Sequence, residues 1–501
     1  MANPLKQLAG QTALYGGSTI VGRILTYVLV PLHTSVFDDT AQYGEITELY
    51  TYVAFFNVLY TFGMETAFFR FVSQQNGNSP QQTYRTAFTA VFLISTLSSA
   101  LLIINANAIA ALLGYAGIGY IIRWLAIILW VDAIVAIPFA RLRIENRPLR
   151  FAITKLSAIG LTVFLNFFLL LWLPQLQLSY AWLEVFYRSD VSVGYVFLAN
   201  LIGNAIIPVL LWPYLRDIRF HLSWRTFQPM LWYAFPIFIM GIGGMVNENI
   251  EKLLLNDLLP LNFYPDTTPQ EALGAYGACF KLTVFMTLAI QAFRYAGEPF
   301  FFSNAQRKES PALFAQIMHY FTVFSMLILV GVSVNLTLIG TLFLRNEDYR
   351  TALYVVPFLL VAKLLAGVYI NLSIWFKLTD KTYFGTIISV VGAVITLAGN
   401  VLLIPVLGYL GCALASIGCY LVMCLVCYYY GRKYYPIPYN FAPTFGYLLV
   451  GLLIIYGAAQ LELANGLLDN LMNVGLSVAF AGAIFFIEKN QLRQRRKNVL
   501  N

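Results

Sequence analysis

Ionisable side chains spaced three or four apart inside long apolar runs are the residues of this sequence with chemistry to offer. Thr12, Gly16, Thr19, Arg23 and Thr26 make one polar helical face with a cation near its middle. Thr283, Thr287, Gln291, Arg294 and Glu298 repeat the device; Glu248, Glu251 and Lys252 share one face, and Lys363, Gly367 and Asn371 another. Asp132 and Lys281 also lie inside apolar runs. A charge at bilayer depth costs at least ~2.5–3.5 kcal/mol on insertion scales, so it must face a partner or a wet cavity. Read functionally, Arg23, Lys252, Lys281, Arg294 and Lys363, with Gln291 and Asn371, line a cavity suited to a diphosphate or an acidic sugar. Glu65, Arg70, Asp132, Glu248, Glu251 and Glu298 then serve ion coupling or gating, with Glu65–Arg294 and Glu298–Arg70 contacts closing the inner mouth. The plainer alternative makes Glu248 with Lys252, and Arg294 with Glu298, local pairs that neutralise one another. Arg23 has no carboxylate within a turn to play that part.

Other chemistries find little support. His33, His221 and His319 are scattered without metal spacing. The five cysteines (279, 412, 419, 424 and 427) fall inside apolar segments, where they read as small packing residues. Asp38-Asp39 reads as a solvated turn rather than a sugar-nucleotide metal motif. No phosphate loop occurs, so ATP is not the direct energy source. A membrane-embedded glycan polymerase or ligase would want acid–base groups and a sizeable outer loop. Here the outer joints are short, the longest near 175–190 and 259–272. No enzyme, cofactor or metal is expected, and Na+ or H+ is the expected coupling ion.

The elements that must hold these residues are membrane helices. The chain is 59% hydrophobic and 11% charged, with a mean hydropathy of +0.71, far beyond what a water-soluble core needs. No stretch is left for a soluble domain of ordinary size. The first apolar segment is too long for a signal peptide and lacks a small-residue cleavage site, so it is expected to remain as a helix. Apolar runs of about 20 residues predict 14 spans: 8–36, 42–72, 84–104, 117–138, 150–174, 191–215, 228–258, 273–303, 313–343, 351–377, 382–404, 408–430, 443–461 and 467–487. Lys and Arg then sort about five to one onto a single side, the positive-inside pattern, with both termini cytoplasmic. That sorting accounts for the formal charge of +8 without nucleic acid.

An internal repeat organises the spans. Tyr43-Gly44, Glu65 and Phe68 recur as Tyr276-Gly277, Glu298 and Phe301 at a constant offset of 233 positions. Gly16-Gly17 matches Gly243-Gly244 at a slightly different offset. Two lobes of like topology follow, 1–215 (spans 1–6) and 228–430 (spans 7–12), joined by a basic linker at 216–227. Residues 431–501 carry two additional helices and a basic tail.

Three stretches carry a family resemblance. They are Leu8-Ala9-Gly10-Gln11-Thr12-Ala13-Leu14-Tyr15-Gly16 running into Val21-Gly22-Arg23, Gly63-Met64-Glu65-Thr66-Ala67-Phe68-Phe69-Arg70, and Phe293-Arg294-Tyr295-Ala296-Gly297-Glu298-Pro299-Phe300. In them the chain resembles the multidrug/oligosaccharidyl-lipid/polysaccharide (MOP) exporter superfamily, in its polysaccharide-transporter branch. The resemblance implies an all-α, two-lobed bundle of 12 or 14 helices around a central cavity. It further implies a flippase that moves an undecaprenyl-diphosphate-linked oligosaccharide across the bacterial inner membrane by alternating access, coupled to an ion or to the membrane potential. Arg23 would meet the diphosphate, and the polyprenyl tail would stay in lipid. The alternatives are a lipid II flippase and a cation-coupled drug or metabolite antiporter of the same fold. A monomer with no nucleic-acid partner is expected.

Overall fold

The computed structural model describes residues 4–73, 79–115, 117–180, 191–216, 218–304, 309–461 and 466–500. Within these, the side chains of 4–14, 73, 296, 298, 299, 302, 303 and 491–500 are not described. Every regular element among the described residues is helical, as lipid requires of a chain whose backbone groups must all be satisfied internally. In chain order the helices are α1 (Pro4–Tyr27), α2 (Leu29–Val36), α3 (Thr40–Thr61), α4 (Met64–Ser73), α5 (Pro80–Ile104), α6 (Ala106–Leu112), α7 (Gly119–Ile144), α8 (Pro148–Phe167), α9 (Leu173–Ser179), α10 (Gly194–Leu210), α11 (Trp212–Leu215) and α12 (Trp224–Leu258). There follow α13 (Pro269–Lys281), α14 (Val284–Asn304), α15 (Ser310–Val334), α16 (Leu336–Phe343), α17 (Val356–Leu372), α18 (Ile374–Leu378), α19 (Tyr383–Leu407), α20 (Tyr409–Tyr434), α21 (Ala442–Gln460) and α22 (Gly466–Leu500).

Among the described residues 11 helical segments are long and apolar enough to cross a membrane, or 12 if α13 and the first part of α14, bent by 48°, make one span. Fourteen were expected. The two expected spans outside this count have physical reasons for falling short. The helix α10 has only 17 residues, about 26 Å at 1.5 Å per residue, and α3 carries Glu45 and Glu48 among its apolar residues.

Several predicted spans are longer than a bilayer needs, and breaks rather than simple tilt divide them. The ring of Pro31 conflicts with the carbonyl of Tyr27, and α1 gives way to α2 there. Between α3 and α4 the backbone turns left-handed at Phe62 (φ 47°) and Gly63 (φ 69°). A five-residue π turn, Phe168–Trp172, interrupts the fifth span between α8 and α9.

The chain groups into two compact units, 1–277 with 383–397, and 278–382 with 398–501. In the first, α7 is the enclosed element, packed on α3, α5, α6 and α10, while α1 lies along α8. The helices α3 and α13 cross closely: a methyl group on Gly44 would overlap the carbonyl of Gln270, and one on Gly274 the carbonyl of Thr40. Beside this crossing the buried Glu48 accepts from the Tyr115 hydroxyl at 2.5 Å and from Asn256 Nδ2 at 3.4 Å, and Gln270 bonds the same tyrosine. In the second unit α17 packs on α20 and α15, and α21 and α22 lie on α15. Repeat-related side chains share a fate: Tyr43 and Tyr276, and Phe68 and Phe301, are all buried.

Candidate functional site

Two cations and two carboxylates line a cavity of about 310 Å³ in the first unit. Its charged and polar lining is Glu65, Asp132, Arg143, Lys155 and Asn204. Helical periodicity brings them together. Asp132 and Arg143 are 11 residues apart on α7, three turns, so they point the same way with roughly 16 Å of rise between them. On α8, Phe151, Lys155, Ala158 and Ile159 follow the four, three, one spacing of a single face. The helix α10 contributes Asn204 and Ile207 in the same manner, and α4 presents Glu65 in its first turn.

The polar contacts divide into two levels. At the end of α7, Arg143 bonds Glu65, and each side chain keeps 35% of its exposure. The guanidinium also lies 4.9 Å from the Phe69 ring and 5.9 Å from that of Phe151. Deeper, Asn204 Nδ2 donates to Asp132 Oδ1 at 3.1 Å. Lys155 stands between, 5.6 Å from the Phe151 ring, with Arg143, Arg23 and Asp132 as charged neighbours. Arg23 reaches this neighbourhood because α1 lies on α8, where a methyl on Gly22 would meet Ile159. The group therefore holds three cations, Arg23, Arg143 and Lys155, against two carboxylates. A third carboxylate, Glu248 of α12, approaches from beyond Tyr27, which has both Arg23 and Glu248 as charged neighbours.

The remaining residues singled out from the sequence fall in several places. Arg70 is exposed and stacks over Tyr233 at 4.2 Å. On α12 the buried Lys252 donates to Asn249 Oδ1 at 2.8 Å and lies 3.9 Å from Glu251 Oε1. In the second unit Lys363, Gly367 and Asn371 are all buried on one face of α17, as their spacing predicts. Lys363 Nζ is 5.1 Å from the Phe280 ring, and Asn371 Nδ2 donates to the Gly367 carbonyl at 3.1 Å. Lys281 and Arg294 are exposed and Gln291 is half-buried. The Glu298 side chain lies outside the described residues.

Arg143, Lys155 and Asn204 are the site residues that sequence reasoning missed. Arg143 and Lys155 were sorted with the loop cations, and nothing in the linear order ties Arg143 to a glutamate 78 positions earlier. The available signal was the side each occupies: Arg143 is three turns from Asp132, while Arg141 pairs with Glu145 at 2.6 Å on another face. A larger cavity of about 570 Å³ opens in the second unit at the start of α15, and its lining among the described residues includes Glu309, Gln316, His319 and Asn440. Among the described residues no group of three or more histidine, cysteine, aspartate or glutamate side chains is placed to hold a metal. All five cysteines are buried and outside any disulfide.

Comparison with known proteins agrees with this architecture. No curated protein matches the sequence. Among solved structures, lipid II flippase MurJ in an inward closed conformation is similar over 95% of this chain and 99% of its own, with a TM-score of 0.69 and 14% identity. An inward-facing multidrug resistance MATE family transporter of the MOP superfamily matches over 84% of this chain and 94% of its own (TM-score 0.55, 14% identity), and a MATE in complex with MaL6 over 86% and 98% (0.58, 14%). At such identities the likeness is one of fold. The model of the family described as "Polysaccharide biosynthesis protein" matches residues 39–346, more than half of the sequence. This polytopic, all-helical chain with cations gathered inside its spans belongs to that family, within the polysaccharide-transporter branch of the MOP superfamily.

Proposed function

We propose that the protein is a flippase that carries an undecaprenyl-diphosphate-linked oligosaccharide, a surface-polysaccharide unit, across the bacterial inner membrane by alternating access. The observation that carries this reading is the small cavity where Arg143 and Lys155 stand together with Glu65 and Asp132, with the Arg23 charge nearby. Cations inside a bundle of membrane helices are costly, and a phosphorylated head group entering the cavity offsets that cost. Buried Lys363 and Lys252, with Lys281, Arg294, Gln291 and Asn371, extend the same chemistry along the chain. The two repeat lobes, 1–215 and 228–430, are the halves proposed to alternate. Asp132, Glu248, Glu251 and Glu298 serve coupling to Na+ or H+, and Glu65 and Arg70 serve gating. The positive-inside sorting supports both termini in the cytoplasm.

A second reading, transport of lipid II, draws on the fold likeness to MurJ. Native mass spectrometry of the purified protein separates the two by the mass of the co-bound lipid. A polyprenyl-diphosphate oligosaccharide is expected, retained less by Arg23→Ala. Lipid II alone would favour the second reading, and a small cationic drug would refute both.

A further inference from the structure

The Glu65–Arg143 pair and the crowding around Lys155 carry a more specific assignment, one that rests on the anionic-cargo reading. We propose that Arg143 and Lys155 form a phosphate-binding subsite in the cavity of the first unit, and that Glu65 is the carboxylate a bound diphosphate displaces from Arg143. Three observations converge on it. Glu65 holds Arg143 by a pair in which both side chains keep about a third of their exposure, and ion pairs open to water are weakly held. Lys155 lines the same cavity as Arg143 and has Arg143, Arg23 and Asp132 as charged neighbours. A dianion between Arg143 and Lys155 meets two cations at once.

The third observation is shape. A cavity of about 310 Å³ bounded by Phe139, Phe151, Val135 and Ile159 sits at the small end of ligand pockets, which run from ~300 to ~1,000 Å³. It admits a diphosphate and excludes an oligosaccharide, so glycan and lipid tail both remain outside. The guanidinium, 4.9 Å from the Phe69 ring and 5.9 Å from that of Phe151, presents a fork that matches phosphate as it matches carboxylate. Glu65 thus occupies the place of the cargo while the subsite is empty. Binding frees Glu65, and with it the start of α4, which directly follows the left-handed break at Phe62 and Gly63.

The test uses the full chain in phosphatidylcholine nanodiscs, titrated calorimetrically with inorganic pyrophosphate and with geranyl diphosphate. Arg143→Gln and Lys155→Gln are each expected to weaken both probes about tenfold or more, the loss typical of a charge-assisted bond. Glu65→Gln is expected to tighten both by about threefold or more as its competing charge is removed; a gain cannot come from misfolding. Unchanged affinity in Arg143→Gln and Lys155→Gln, or weaker binding in Glu65→Gln, overturns the proposal. Adding phosphatidylglycerol to the nanodiscs should leave geranyl diphosphate affinity unaltered; equal competition would assign the subsite to ordinary phospholipid and overturn it too. If the parent and both cation variants co-purify with lipid-linked saccharide equally, the subsite fails while the cargo reading stands. If the variants lose the diphosphate probes but the parent carries no such lipid, the subsite stands and the cargo reading fails.

Discussion

The last two helices are held to the second unit by a polar clamp, and breaking it should be measurable. Glu488 of α22 accepts from the Tyr447 hydroxyl of α21 at 2.8 Å and pairs with His319 Nε2 of α15 at 2.9 Å. The His319 and Glu488 side chains keep only 18% and 12% of their exposure, so water screens the contact little. Inside a bilayer apolar helices gain nothing from leaving lipid for one another, and packing and polar contacts carry association. Interhelical bonds in membranes average ~0.6 kcal/mol with a maximum near ~1.7, and bonds to charged groups in proteins reach ~1.5–3. Two bonds converging on one carboxylate oxygen then place Glu488→Leu roughly 1–3 kcal/mol below the parent. Glu488→Gln retains an acceptor for Tyr447 and should lose about half as much. The assay is unfolding in mixed micelles with increasing dodecyl sulfate, combined with hydrogen exchange along α21. A double-mutant cycle of Glu488→Leu with Tyr447→Phe should give a coupling of ~0.5–1.5 kcal/mol. Stability of Glu488→Leu within ~0.3 kcal/mol of the parent, with α21 protection unchanged, would refute the clamp.

Three further outcomes are expected. Gly274→Ala drives a methyl into the Thr40 carbonyl and should cost ~1–3 kcal/mol in the same unfolding assay, whereas Gly17→Ala, with open space at its Cβ, should be neutral within ~0.5 kcal/mol. A membrane-permeant maleimide should label none of the five buried cysteines in the native protein and all of them after denaturation, as read by intact mass. Asn204→Leu removes the donor to Asp132 and should lower cargo flipping in proteoliposomes about tenfold or more; parental flipping would remove Asp132 from the coupling role.

Much of the scaffold is readable from composition and periodicity, and particular residues show where that reading stops. Lys363, Gly367 and Asn371 share a buried face because helical spacing alone dictates it. The cysteines are buried packing residues because a small apolar side chain in an apolar run has no other place to go. Span length was the weaker inference, since hydropathy averages over a break: Pro31 and the left-handed Phe62-Gly63 turn divide runs that read as continuous. Arg143 and Lys155 stand out less for a related reason. A cation near a helix end looks the same in sequence whether it faces water or a cavity, and only its rotational position relative to neighbouring helices separates the two.

The sequence by itself determined that this chain is a bundle of membrane helices, because the apolar content and the helical spacing of its charges are local properties lipid acts on directly. Which charges meet was decided by tertiary structure alone. Glu65 finds Arg143 across 78 positions, and Asp132 finds Asn204 across 72. Helix packing angles and breaks set those encounters, and they depend on side-chain volumes distributed over the whole chain rather than on any one segment.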